Sequence, residues 1–96
     1  MLEVRRTAAF MDWLAGLRDG QARARIAKRI DRIAVGNFGD TKSVGGGISE
    51  LRFAFGPGYR VYYAVRGNLV VILLCGGDKG SQDRDIERAI AMAREI

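Results

Sequence analysis

Apolar residues in the first part of the chain recur at every second position and then at every third or fourth. In "LEVRR", Leu2 and Val4 alternate with charged residues, which predicts a short strand. Thr7 is a suitable N-cap for a helix that ends at Asp19-Gly20. The apolar residues of this helix recur at helical spacing: Phe10, Trp13, Leu14 and Leu17.

A second helix is predicted from Gln21 to about Val35, closed by Gly36-Asn37. Its apolar stripe consists of Ala22, Ile26, Ile30 and Ile33. The tight turn between the two helices makes them antiparallel neighbours. Residues 37–49, "NFGDTKSVGGGIS", show no apolar period and contain three consecutive glycines, so we expect a flexible loop there.

The remainder of the chain has the pattern of an antiparallel meander followed by a helix. "ELRFAF" and "YRVYYAVR" alternate around "GPG", and "GN" leads into the continuously apolar "LVVILLC", which predicts a strand covered on both faces. Ser81 can cap a last helix, whose buried stripe is Ile86, Ala89, Ile90 and Ala93. The order β-α-α-β-β-β-α predicts an α+β fold, a mostly antiparallel sheet with two N-terminal helices and a C-terminal helix, and one domain over residues 1–96.

The hairpin around "GPG" separates polar from apolar side chains. If the strands pair up to Phe55 and Tyr59, Arg52 lies across from Tyr62. One face is then apolar and packs on the helices, because residues of a strand alternate between the two faces. The other face is predicted to be open to solvent and carries Glu50, Arg52, Arg60, Tyr62 and Arg66.

Charge and composition narrow the possible partners. The net charge of +5 and the pI near 10.0 indicate an anionic partner, either a nucleic acid or an acidic protein. On the second helix, Arg25, Lys28 and Arg32 share one side, with Arg29 near its edge, and form either a solvated face or a strip that contacts phosphates. Lys42, in the predicted loop, could also reach a bound polyanion.

Several classes of site and location are excluded by residue types. Histidine is absent and Cys75 is the one cysteine, so zinc sites built on these ligands cannot form, and no cofactor is expected. No apolar run approaches the ~20 residues of a membrane helix. Charged residues within "MLEVRR" interrupt any secretory signal, so we expect a cytoplasmic protein without membrane contact.

The segment "LLCGGDKGSQ" differs from a phosphate-binding loop of nucleotide-binding proteins. Such a loop places its lysine after the last glycine and joins a parallel strand to a helix, whereas Lys79 precedes Gly80 and follows an antiparallel meander. We therefore expect the glycines to allow a sharp exit from the strand, and Lys79 to lie at the rim of the arginine face. The alternatives for that face are an ordinary solvated surface or a phosphate site.

The segments Glu-Leu-Arg, Gly-Tyr-Arg and Gly-Gly-Asp-Lys, in this order after two helices, resemble the RelE/ParE superfamily of bacterial toxins. The resemblance covers essentially the whole chain and is closer to the HigB-like, phage-derived addiction module killer branch. It implies a type II toxin that cleaves messenger RNA in the ribosome without metal, the 2'-hydroxyl attacking the adjacent phosphate. It also implies a cognate antitoxin as partner, usually a helix-turn-helix DNA-binding protein, in a possible hetero-oligomer.

By position in this resemblance, the catalytic residues would be Arg52, Arg60, Tyr62 and Lys79. The arginines would stabilise the phosphate, Lys79 would add a cation or transfer a proton, and Tyr62 would stack on a base or transfer a proton. Further contacts to RNA would come from Arg25, Lys28, Arg32, Lys42, Tyr59 and Arg66.

The resemblance leaves two other functions open. Relatives often carry a catalytic tyrosine or histidine near the C-terminus, and "AIAMAREI" offers neither. A non-catalytic module that only binds an antitoxin, such as a decayed toxin, is therefore one alternative. The other is a poison of DNA gyrase, as in the ParE-like members of the superfamily.

Overall fold

The computed structural model describes residues 1–96 and has one five-stranded sheet with helices on both faces. The strands lie in the order β1-β5-β4-β3-β2, with β1 parallel to β5 and the other pairs antiparallel. Their bounds are β1 Glu3–Arg6, β2 Thr41–Gly45, β3 Ile48–Arg52, β4 Arg60–Arg66 and β5 Val70–Gly77. The helices are α1 Ala8–Ala15, α2 Gly20–Asp31 and α3 Gln82–Arg94, with single 3-10 turns at Arg32–Val35 and Lys79–Ser81. The predicted α+β fold is confirmed.

The helices α1 and α2 cover one face of the sheet. Thr7 caps α1 as predicted: its hydroxyl accepts from Phe10 N at 3.1 Å and donates to Leu74 O at 2.6 Å, which ties the helix to β5. Asp19 caps α2, so α1 ends earlier than expected, at Ala15. The core on this face contains Ile26, Ile30 and Ile33 of the predicted stripe of the second helix, and Ala22 of that stripe is buried as well. The core cluster consists of Phe10, Ile26, Ile30, Ile33, Leu51, Phe53, Val61, Tyr63, Val71 and Leu73.

The opposite face is covered by α3, so the prediction of an open polar face was wrong. The buried cluster between the sheet and α3 comprises Ile48, Tyr62, Ala64, Ile72, Leu74, Cys75, Ala89 and Ala93. Strand β5 is apolar on both of its faces, and the apolar stripe of α3 also has to leave water. Packing the helix on this face removes both surfaces from solvent, together with Glu50, Arg60 and Tyr62 of β3 and β4. Arg52 and Arg66, on the same face, keep contact with solvent.

Part of the predicted loop 37–49 is a strand. Thr41–Gly45 forms β2 at the edge of the sheet, paired with β3, and turns through Gly46 and Gly47 at φ 63° and 78°. Only Val44 of this edge strand is even partly buried, so the strand needs no apolar alternation and its sequence showed none. Gly46 also makes room for Ile90 of α3, because a β-carbon there would lie 2.8 Å from that side chain.

The register of β3 and β4 differs from the predicted one by two residues. Arg52 lies opposite Arg60 and Glu50 opposite Tyr62, because the strands stop at Arg52 and Arg60 and the connection is longer than "GPG". A shift by two leaves each side chain on its predicted face.

The consecutive glycines at the end of β5 serve close packing on both faces of the strand. A β-carbon on Gly76 would lie 2.3 Å from the indole of Trp13, and one on Gly77 would lie 1.9 Å from Oδ2 of Asp85. Both glycines belong to the strand and neither has a positive φ, so the predicted sharp exit was wrong. The turn follows at Asp78, whose carboxylate accepts from Gly80 N at 2.8 Å, while the Ser81 hydroxyl bonds to Asp85 and caps no α3 amide. No helix of the chain is long and apolar enough to cross a membrane.

We expect Gly76→Ala to lower the free energy of unfolding by about 1–3 kcal/mol, because the added methyl overpacks the contact with Trp13. Urea unfolding followed by the fluorescence of Trp13, the one tryptophan, measures both the stability and the displacement of the ring. Gly20→Ala is the matched control: its β-carbon would meet only Arg23 at 3.4 Å, and alanine suits the first residue of α2. Equal stability of the two variants would contradict the proposed packing.

Candidate nucleic-acid interface

A basic groove lies between α2 and the end of β3. It has a volume of about 490 Å³ and is lined by Arg25, Lys28, Arg29, Arg32, Phe53, Ala54 and Phe55. The guanidinium of Arg25 lies 3.8 Å from the ring centre of Phe55, and that of Arg29 lies 4.4 Å from the ring centre of Phe53. The lining holds four cations and no carboxylate, so the groove is built to attract an anion. The predicted strip of Arg25, Lys28 and Arg32 thus acquires an apolar floor.

Arg29 joins the groove to the sheet. Its guanidinium donates to the backbone oxygens of Phe38, at 3.2 Å from Nη2, of Asp40 and of Arg52. Burial lowers the pKa of Arg29, partly offset by the charge of Asp40. The sequence placed Arg29 only at the edge of the basic strip; beyond its place beside Ile30, no signal showed that it braces three carbonyls.

Arg60 is almost fully buried under α3. It is 7% exposed, and its Nε lies 3.6 Å from Oε2 of Glu50, which is 3% exposed. Its Nη1 donates to the carbonyls of Gly58 and Tyr59, each at 3.0 Å. Glu50 also accepts from Nε2 of Gln82 in α3, at 3.0 and 3.4 Å. Arg60 is therefore held in one orientation by the sheet, the β3–β4 connection and α3.

Tyr62 does not lie on an accessible surface. Its side chain is 0% exposed and its hydroxyl is buried without a hydrogen-bond partner. Burial raises the pKa of Tyr62, and the nearby carboxylates of Glu50 and Asp85 raise it further. The phenol therefore stays protonated and out of reach of a ligand while α3 is in place, which corrects its predicted role as a surface group.

Lys79 and Arg52 are the accessible cations on the side of the β3–β4 connection that faces α3. Lys79 is exposed, and a β-carbon on Gly58 would lie 3.2 Å from Cβ of Lys79 and 3.5 Å from Nη1 of Arg60. The side chain of Arg52 is 41% exposed, and its Nε lies 4.0 Å from a carboxylate oxygen of Asp40. This contact is weak, because surface ion pairs contribute about 0–1 kcal/mol. The connection thus has the basic groove on one side and Arg52, Arg60 and Lys79 on the other.

Three residues predicted to contact RNA lie elsewhere. Arg66 is at the other end of β4 from Arg60, and its Nη2 donates to Ala93 O at 2.9 Å near the end of α3. Tyr59 packs against Trp13 and Phe55, with ring centres 6.2 and 5.8 Å apart. Lys42 is exposed on the edge strand β2, opposite Glu50, and not in a loop.

The chain offers no cluster of metal ligands: no three side chains of the types His, Cys, Asp and Glu lie close enough together to hold an ion.

The comparisons with known proteins agree with this architecture. The model of the family described as phage-derived protein Gp49-like matches residues 12–96, most of the chain. The chain belongs to the Gp49-like family. A Haemophilus influenzae protein, itself described only as uncharacterized, is 48% identical over 95 residues, which cover 99% of this chain and 96% of that protein. The Gp49-like chain and this relative can thus be aligned over nearly their whole lengths.

The fold is that of a known toxin. A solved structure of E. coli toxin RelE, a double arginine-to-alanine variant in the free state, superposes with a TM-score of 0.72. The match covers 99% of this chain and 97% of RelE at 14% identity, and at that identity the likeness concerns the fold. Family and fold confirm the predicted RelE/ParE superfamily; the HigB-like branch stays a prediction. Together they support a toxin of a toxin–antitoxin system, with an antitoxin as partner.

The reactivity of Cys75 depends on whether α3 covers the face of the sheet that contains Tyr62. Cys75 lies opposite Tyr62 in the sheet, and burial raises the pKa of its thiol from 9.0 to about 11. We expect a disulfide reagent such as dithionitrobenzoate to react with the native chain at pH 8 far more slowly than with the urea-unfolded chain. Rapid reaction of the native chain would show that α3 lifts readily.

The same thiol makes stability depend on pH. The folded chain keeps the thiol proton to a higher pH than the unfolded chain. The contribution of Cys75 to the free energy of unfolding is therefore unchanged below about pH 9 and falls as the pH approaches 11. The fall is at most about 1.4 kcal/mol per pH unit for this one proton. Cys75→Ala should reduce the slope of unfolding free energy against pH in this window, measured by urea titration.

Proposed function

We propose that this Gp49-like chain is the toxin of a type II toxin–antitoxin system and an endonuclease that cleaves messenger RNA on the ribosome. The observation that carries the proposal is the groove of four cations on a phenylalanine floor, beside the β3–β4 connection that leads into Arg60 and borders Lys79. Guanidinium groups match phosphate oxygens, and aromatic rings accommodate bases, so this lining suits a polynucleotide better than an acidic protein.

The groove supplies binding rather than chemistry. Arg25 and Lys28 on α2 and Arg32 in the 3-10 turn that follows it are exposed and can each approach a phosphate. The volume of about 490 Å³ falls in the range of ligand sites and accommodates a nucleotide. Since the contacts are to phosphates, they fix the path of the strand and carry little sequence information.

The chemistry belongs on the other side of the connection. The 2'-oxygen of RNA attacks the adjacent phosphorus, the bond from phosphorus to the 5'-oxygen breaks, and one proton leaves the 2'-hydroxyl while another reaches the 5'-oxygen. Arg52 and Arg60 would stabilise the charge that develops on the phosphate oxygens. The ammonium of Lys79 would donate to the leaving oxygen. We assign Tyr62 no contact with RNA, because its hydroxyl is buried.

The antitoxin would bind a second surface, the apolar groove between α1 and α2. This groove has a volume of about 570 Å³ and is lined by Arg6, Phe10, Met11, Leu14, Ala15, Gly20, Arg23, Ala24 and Ala27. Met11 is 55% exposed on its floor, and two arginines are its only charged residues. An amphipathic segment with an apolar stripe and acidic flanks is complementary to this groove, because the stripe matches the apolar lining and the acidic flanks match the two arginines.

We expect the double variant Arg25→Ala/Lys28→Ala to cleave messenger RNA more slowly in a translating extract, because two phosphate contacts are lost. The slope of log binding constant against log salt concentration should fall by about two units. Primer extension on transcripts and a salt titration measure the two effects. Arg18→Ala, which removes an exposed arginine outside the groove, is the matched control.

Other outcomes of this experiment identify other functions. Intact transcripts together with DNA damage in cells that express the unaltered chain would indicate a gyrase poison. Harmless expression and no cleavage would indicate a module that only binds its antitoxin. Cleavage by the unaltered chain with an undiminished double variant would remove the groove from the RNA path.

Met11→Glu should abolish or strongly weaken capture of the antitoxin in co-expression. A carboxylate in the groove would disrupt the apolar contact and would repel the acidic flanks of the antitoxin segment. Messenger RNA cleavage by the free chain should be unchanged, since Met11 is exposed and does not line the basic groove. Leu69→Glu, at an exposed apolar residue of the β4–β5 turn, is the control. Normal antitoxin capture by Met11→Glu would assign the antitoxin another surface.

A further inference from the structure

Glu50 occupies a place that neither solubility nor the core explains. Its carboxylate is almost completely buried between β4 and the first residue of α3, where it meets Arg60 and Gln82. A buried charge costs several kcal/mol of desolvation, and a hydrophobic pair of similar volume is often equally stable or more stable there. The pair is therefore better explained by the orientation that it imposes than by the stability that it provides.

The orientation imposed on Arg60 is specific. Glu50 lies at Nε, and the carbonyls of Gly58 and Tyr59 take both bonds of Nη1. Neither Nε nor Nη2 makes a hydrogen bond within the chain, and of the two only Nε is fully buried. A β-carbon on Gly58 would lie 4.0 Å from Nη2 and 3.2 Å from Cβ of Lys79. Nη2, the one unpaired guanidinium nitrogen that is not fully buried, is thus on the side of the β3–β4 connection where Lys79 lies.

Gln82 makes this orientation depend on α3. Its Nε2 donates to both oxygens of Glu50, at 3.0 and 3.4 Å. The first residue of α3 therefore holds the carboxylate of Glu50, and this carboxylate in turn orients the guanidinium of Arg60. The first turn of α3 is itself packed close to β5. Asp85 approaches Gly77 so closely that a residue with a side chain at position 77 would clash with it.

We propose that Glu50 is a positioning residue that, with Gln82, aims Nη2 of Arg60 at the scissile phosphate of RNA. This inference rests on the proposed endonuclease function. Glu50 touches no substrate; it holds a planar donor in advance, so that the transition state gains the hydrogen bond without reorganising the side chain. A misplacement of about 1 Å can cost about 100-fold in rate, which sets the scale of the expected effect.

The test measures single-turnover cleavage of messenger RNA on ribosomes over a range of toxin concentrations. Glu50→Gln, which keeps the shape and removes the charge, should lower the maximal rate by about 10- to 100-fold and leave the half-saturating concentration nearly unchanged. Arg60→Lys should lower the rate similarly. In the Arg60→Lys background, Glu50→Gln should cause little further loss, because both changes disrupt one unit. Glu87→Gln, at an exposed glutamate of α3, is the control.

A second variant separates positioning from folding. Gln82→Ala keeps the ion pair and releases the carboxylate from α3, so we expect a smaller fall in maximal rate with native circular dichroism and a thiol of Cys75 that stays slow to react. If Glu50→Gln unfolds the chain, this variant decides: an unchanged maximal rate overturns the inference.

The remaining outcomes are distinct. No cleavage by the unaltered chain overturns the proposed function and this inference with it. Cleavage by the unaltered chain with a normal rate for folded Glu50→Gln overturns the inference alone. Losses that multiply in the double variant show that Glu50 acts independently of Arg60, which also overturns it.

Discussion

Strand β5 is apolar on both of its faces, and the rest of the structure follows from the need to cover both. The helices α1 and α2 cover one face and α3 covers the other. Because α3 also lies over β3 and β4, it buries polar residues that would otherwise face water. The charge of Arg60 needs a partner there, which the carboxylate of Glu50 provides, and two backbone carbonyls accept from its Nη1.

The glycines at the end of β5 are part of the same constraint. Helices can approach both faces of the strand closely only if its side chains are small at that point. Gly76 admits the ring of Trp13 from one side and Gly77 admits Asp85 from the other. The strand therefore ends between two close contacts, and the turn beyond it holds Lys79 beside the β3–β4 connection. The packing of the core thus determines where an exposed cation of the candidate site lies.

The candidate site divides binding from chemistry across one connection between strands. Exposed cations on α2 surround an apolar floor on one side, where many weak phosphate contacts can add up. The other side has few cations, and Arg60 is held rigidly rather than exposed. Such a division suits a nuclease. Affinity for a polyanion increases with the number of mobile cationic side chains, whereas stabilisation of the transition state requires hydrogen-bond donors in fixed positions.

Much of the fold was predictable because periodicity records which residues must leave water. The stripe of α2, the Thr7 cap, the meander and the doubly covered β5 were all read correctly from local pattern. The edge strand β2 was missed because a strand with little burial has no apolar period. The register of β3 and β4 was missed because "GPG" marks a turn but not its length, and the connection takes in all of residues 53–59.

The sequence by itself determined the α+β class, the two faces of β3 and β4 and the basic strip of the second helix, since each depends on residues close together in the chain. Only the tertiary structure decided that α3 lies over the polar face, that Glu50 meets Arg60 and Gln82, and that Arg29 braces three carbonyls. These contacts join residues distant in sequence, and a strand pattern specifies that a face is covered or polar but not which element covers it. Tyr62 shows the difference: its alternation placed it on the correct face, and the packing of α3 made that face an interior.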